Sequence, residues 1–88
     1  MYLHVGNQKN IRQKDIVGIF DMDRTTISKI TRKYLSEAEK NRLVSAANEE
    51  EIPKSFVLYR DRKDDQYKIC FSQLSTAALI GRFDVGEE

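Results

Sequence analysis

The sequence predicts a small mixed α+β domain of one core, and three observations lead there. Ile16-Val17-Gly18-Ile19-Phe20 is a dense run of β-branched and aromatic side chains bounded by Asp15 and Asp21, the composition of a buried strand. Beyond it the apolar period changes: Ile27, Ile30, Tyr34, Leu35 and Ala38 share one face at 3.6 residues per turn, which predicts a helix over about Thr25 to Lys40. Two further runs, Ser55 to Arg60 and Tyr67 to Ser72, read as strands on either side of the polar loop DRKDDQ and predict an antiparallel hairpin.

Taken in order, Tyr2 to Val5 reads as a strand, Gly6 to Asn10 as a turn, and Ile11 to Gln13 as the returning strand of an opening hairpin. Gly18 disfavours a helix over the next run by about 1 kcal/mol relative to Ala. Asp23 is the expected N-cap of the main helix, and Asn41 the residue that ends it by turning left-handed. Leu43 to Ala46 reads as a short strand, and Asn48 to Glu51 as an acidic loop closed by Pro53. In the second hairpin strand Tyr67, Ile69 and Phe71 alternate with Lys68, Cys70 and Ser72, which sends the two sets to opposite faces. Ala77, Ala78, Leu79 and Ile80 form a last short helix over Ser75 to Gly81, started by Ser75 or Thr76. The expected domain therefore covers residues 1–82, with 83–88 as a loose tail.

Composition narrows the classes of function. A net charge of +1 is not that of a histone-like binder, so any basic surface must come from local clustering. Cys70 stands alone, with no disulfide and no cysteine or histidine cluster for a metal, as expected of a reducing compartment. No leader pattern opens the chain and no run of eighteen apolar residues occurs, so a cytoplasmic protein without a membrane span is expected. A core this small gains from self-association, and a homo-oligomer is expected.

No catalytic constellation is legible. His4 lies in a strand, Cys70 has no base signal beside it, and Glu49 to Glu51 read as a solvated loop. Asp21-Met22-Asp23 starts like a calcium loop, but Thr26 and Arg32 stand where Gly and Glu are required. The expectation is a protein that is no enzyme, with no metal, no cofactor and no small-molecule substrate. Tyr59, Tyr67, Phe56 and Phe71 lie among Arg60, Arg62, Lys63 and Lys68, a pattern for stacking bases that the acids of DRKDDQ dilute.

Two DNA-reading arrangements remain. The stretch Lys14 to Leu35 has the cadence of a helix-turn-helix, which needs its first helix over Lys14 to Phe20; Val17, Gly18 and the isoleucines point there to strand instead. On the main helix Lys29, Arg32, Lys33 and Lys40 lie opposite the apolar stripe, a basic strip suited to phosphate contact.

The order of YLHVGN, KDIVGIFDMDRTTISKITRKYL, IPKSFVLY and SQLSTAALIGR resembles the small extracellular matrix regulatory proteins of biofilm-forming bacteria, the RemA and RemB family, most closely the RemB branch. The resemblance spans about Met1 to Arg82. It implies a subunit with a strand at Ile16 to Phe20, assembly into rings, and DNA binding that regulates matrix genes. The arginines credited with DNA contact in the RemA branch fall at Asp15, Glu51 and Ile52 of this sequence, which are acidic or apolar. Lys14 and Lys54 stand beside those positions, and Arg12 and the helix strip offer another surface. The candidate DNA-binding residues are therefore Arg12, Lys14, Lys29, Arg32, Lys33 and Lys54. The alternative is a ring module that binds only protein.

Overall fold

A computed structural model of the protein describes residues 1–6, 9–22, 28–46 and 52–83. In chain order these form β1 (Tyr2–Gly6), β2 (Lys9–Arg12), a 3₁₀ turn (Gln13–Asp15), β3 (Ile16–Asp21), α1 (Lys29–Lys40), β4 (Val44–Ala46), β5 (Ser55–Asp61), β6 (Gln66–Ser72) and α2 (Thr76–Gly81). Strands β3-β5-β6-β4 make a four-stranded sheet, and β1-β2 a separate ribbon. β3 pairs antiparallel with β5, Ile19 opposite Val57 and Phe20 opposite Phe56. A strand thus occupies the segment that a helix-turn-helix needs as its first helix. The hairpin β5-β6 forms as expected, while β4 adds parallel to β6, Ser45 opposite Cys70.

The sheet is covered on both faces. On one, Phe56 and Ile69 pack with Leu35 and Ala38 of α1, joined by Phe20, Leu58, Phe71, Leu43 and Val44. On the other, Val57 and Cys70 pack with Leu3, Val5 and Ile11 of the ribbon and Leu79 of α2. Alternation along β6 sends Ile69 and Cys70 to opposite sides, but both are buried because each side has its own layer. Burying such a side chain stabilises the fold by about 1.5–3 kcal/mol.

Two serines join the layers. Ser55 and Ser72 face each other across the hairpin, both buried. The Ser55 hydroxyl donates to the Leu74 carbonyl at 2.7 Å, and that of Ser72 to the Val5 carbonyl at 2.7 Å. Val5 sits where the β1-β2 register shifts between His4 and Gly6, so this hydroxyl serves a carbonyl at a bulge. Gly6 has φ +121°, and a Cβ there would lie 2.7 Å from the Gln73 amide, so the bulge accepts no larger residue without strain.

Several expectations are corrected. Lys9 and Asn10 belong to β2 and not to the turn, and Gln13 is buried in the 3₁₀ turn, its N–H donating to the Met1 carbonyl. The described helix α1 begins at Lys29, capped by Ser28, whose hydroxyl accepts from the Thr31 N–H. Asp23, Thr25 and Ile27 lie outside the described residues, as does the loop 48–51. Asn41 is not left-handed (φ −90°); Arg42 is, at φ 59°. The Leu43 N–H reaches back to the Ala38 carbonyl and that of Arg42 to Glu39, a closure that puts the left-handed residue one place later. Leu35 and Ala38 are buried as the stripe predicts, but Ile30 is 83% exposed and Tyr34 47%, and the two line a shallow groove with Phe20, Phe56 and Leu58 in place of a closed core. Ser75 caps α2 as expected, accepting from the Ala78 N–H. Phe83, assigned to the tail by sequence, packs on the ribbon-side core. No helix among the described residues is long and apolar enough to cross a membrane.

Candidate functional site

The end of the sheet where β5 turns into β6 gathers the charged residues. The turn after Asp61 is built locally: the Asp61 carboxylate accepts from the Lys63 N–H at 2.9 Å, and Asp65 takes a left-handed conformation that a short polar residue tolerates. Lys68 reaches back along β6 to both Asp61, at 2.8 Å, and Asp64. Arg60 is paired with Asp65. The β3-β5 pairing then brings in a residue 47 positions away: Arg62 Nε donates to Asp15 at 2.8 Å.

Two adjoining grooves share Asp15, Arg60 and Arg62 as their common wall. One, of about 460 Å³, runs along the ribbon and is lined also by Lys9, Arg12, Tyr59 and Lys63. The other, of about 500 Å³, is lined also by Lys14, Val17, Asp65 and Tyr67. Seven cations (Lys9, Arg12, Lys14, Arg60, Arg62, Lys63 and Lys68) meet four carboxylates (Asp15, Asp61, Asp64 and Asp65), a local excess of three positive charges in a chain of net +1. Each carboxylate is held by a cation, whereas Lys9, Arg12, Lys14 and Lys63 form no ion pair among the described residues. The trough thus presents unpaired cations beside arginines held in place, an arrangement that attracts anions, phosphates above all.

Asp15 takes a different meaning in this setting. Its side chain is 11% exposed while that of Arg62 is 58% exposed. The carboxylate lies beneath and the guanidinium faces solvent, so the acid positions an arginine as well as subtracting a charge. Hydrogen bonding fixes the ionisation of the turn: the Lys68 ammonium, then the Lys63 N–H, hold the Asp61 carboxyl below the usual carboxylate range. Asp61 and then Asp64 push Lys68 upward, and Asp65 does the same to Arg60. Burial, followed by the nearby Cys70, raises the Tyr59 hydroxyl.

The six sequence candidates do not form one surface. Arg12 and Lys14 line the trough. Lys29, Arg32 and Lys33 are exposed on α1, which covers the opposite face of the sheet from the ribbon that carries Arg12. Lys54 precedes β5 at the far end from Arg60, its backbone bonded to Met22 and Ser72. Glu51 lies outside the described residues, and Ile52 is exposed. Arg60, Arg62 and Lys63 entered the sequence reading only as neighbours of stacking aromatics, diluted by the acids of DRKDDQ, and Lys9 only as part of a turn, so none of the four was among the candidates. Elsewhere, His4 Nδ1 lies 3.1 Å from Asn10 Oδ1 across the ribbon, and Cys70 is fully buried, so neither faces a groove.

No family model matches the chain, and no curated protein matches it.

Proposed function

We propose that the protein is a non-enzymatic, homo-oligomeric regulator that binds DNA through the trough of Arg12, Lys14, Arg60, Arg62, Lys63 and Lys9. The resemblance to the RemA and RemB proteins supplies the setting, expression of bacterial matrix and biofilm genes in the cytoplasm. The observation that carries the reading is the excess of three positive charges at one end of the sheet, with unpaired lysines and Arg12 beside anchored arginines. Each phosphate neutralised releases counterions, and copies assembled together add their contacts. The grooves are dominated by lysine and arginine, so the main contact is with the phosphate backbone and is weakly selective for sequence.

Titration of duplex DNA at several salt concentrations tests this. The slope of log K against log salt is expected near −0.9 for each phosphate contacted. A variant with Arg12→Ala and Arg62→Ala should lose about 1.8 of that slope, while Lys29→Ala, Arg32→Ala and Lys33→Ala together leave it unchanged. The opposite result would move the interface to α1. Absence of binding at low salt would leave the second reading, a protein-interaction module, which the exposed Ile30 and Tyr34 favour.

A further inference from the structure

The aromatic residues among the cations of β5 and β6 have no part in the function proposed above, and the fold sorts them. Phe56 is buried and Phe71 half-buried, both packed on the α1 side, while Tyr59 is half-buried against the ribbon. Tyr67 is the exposed one of the four, at 55%, and it lines the groove of Lys14, Arg60 and Arg62. The adjoining groove has an exposed tyrosine of its own, Tyr2, at 64%, beside Lys9, Arg12 and Lys63. Strand pairing gives both tyrosines the same setting: Tyr67 stands opposite Arg60 across β5-β6, and Tyr2 opposite Arg12 across β1-β2. Residues directly opposed in an antiparallel pair project from one face with Cβ atoms about 4.5–5.5 Å apart. Each groove therefore sets a phenol ring beside a guanidinium. Arg60 gives Nε and Nη2 to Asp65, and its Nη1 has no acceptor among the described residues.

We propose that the trough takes an unpaired strand of nucleic acid in preference to a duplex, with bases stacked on Tyr2 and Tyr67 and phosphates held by Arg12, Arg60 and Arg62. A cation meets the phosphates of any strand, whereas a ring face adds recognition only for a base whose own face is free. In a duplex those faces are covered by neighbouring base pairs; in an unpaired strand they are open to aromatic side chains. Volumes of about 460 and 500 Å³ lie in the range of small-ligand sites. Arg60 and Arg62 wall both grooves, so one strand can follow that wall and place a base on either side of it. Stacking tolerates every base, in keeping with weak selectivity for sequence. The inference rests on the trough reading and narrows its ligand.

Fluorescence anisotropy with oligothymidylate DNA, oligouridylate RNA and a mixed-sequence duplex, matched in phosphate number and salt, tests this. The better single strand should bind about fivefold or more tighter than the duplex, and which strand it is names the source as DNA or RNA. Tyr2→Ala and Tyr67→Ala should each weaken single-strand binding about tenfold and leave duplex binding within about twofold. Tyr2→Phe and Tyr67→Phe should keep the wild-type affinity, because the ring face is retained. Both side chains are exposed, so circular dichroism should not change. An abasic strand of the same length should bind the wild type and both alanine variants alike. Equal affinity for strand and duplex, or alanine losses that the abasic strand shares, overturns the proposal. The variant with Arg12→Ala and Arg62→Ala reads the trough separately. If it weakens every ligand while the tyrosine variants change none, the trough stands and the stacking fails; if the wild type binds neither strand nor duplex, both readings fall.

Discussion

Replacing Ser72 by alanine should remove a link between the ribbon and the sheet. Ser72 is 1% exposed, donates to the Val5 carbonyl at 2.7 Å and accepts from the Leu74 N–H at 3.0 Å. Alanine leaves both backbone groups without this partner. Val5 is fully buried, so its carbonyl has no direct access to solvent. An orphaned buried group costs about 1–3 kcal/mol, and the Leu74 bond adds about 1 kcal/mol, giving roughly 3 kcal/mol in all. A domain of this length has about 4–13 kcal/mol of total stability, so the loss is a large fraction. With a urea m-value near 1–1.5 kcal/mol/M, the midpoint should fall by about 2–3 M, and Tm by roughly 15 °C. Urea unfolding followed by circular dichroism reads this, with Ser36→Ala on the exposed side of α1 as the control, expected within about 0.5 kcal/mol. A midpoint shift for Ser72→Ala no larger than that of the control would refute the bridge.

Arg42→Gly should stabilise by about 1 kcal/mol, because Arg42 holds a left-handed φ of 59°, while Asn41→Gly should not; thermal melts of the pair distinguish the two sites. Asp15→Asn should tighten DNA binding about two- to threefold at low salt. One charge removed some 7 Å from a phosphate held by Arg62 is worth about 0.6 kcal/mol at the dielectric constant of water, and weaker or unchanged binding would contradict the trough. The Asp61 carboxyl is held low in the folded state, so its contribution is present above the unfolded value of about 3.9 and lost as pH falls through the folded one. The stability gap between wild type and Lys68→Met should therefore shrink below about pH 4. Lys68 is pushed upward, so its own contribution is retained below its unfolded value of about 10.4 and the gap stays level from pH 6 to 9.

How much was legible in the sequence differs by element. Ile16 to Phe20 declared itself a strand through its β-branched and aromatic residues, but not the buried strand expected, since it lies at the sheet edge with Val17 58% exposed; the β5-β6 hairpin declared itself through its polar turn. Ser75 marked α2 for the same local reason, a hydroxyl placed to accept the Ala78 N–H. The buried flank of α1 was not legible in full: Ile30 and Tyr34 fit the helical stripe, yet they stay exposed along a groove beside Phe20, Phe56 and Leu58, and the period alone does not say how much of the stripe the sheet covers. Arg12 and Lys14 were found as isolated basic residues. The trough around them was not, since it depends on the β3-β5 pairing that sets Asp15 against Arg62, and local sequence carries no sign of that register.

The Ser72 hydroxyl reaches a carbonyl 67 residues earlier. During synthesis, then, the first strands leave the ribosome long before the surface they cover exists. Leu3, Val5 and Ile11 must wait in water until β6 has formed, and docking of the ribbon becomes a late, non-local event in folding. Because Arg12 travels with that ribbon, the nascent chain acquires its complete basic trough only when its two ends have come together.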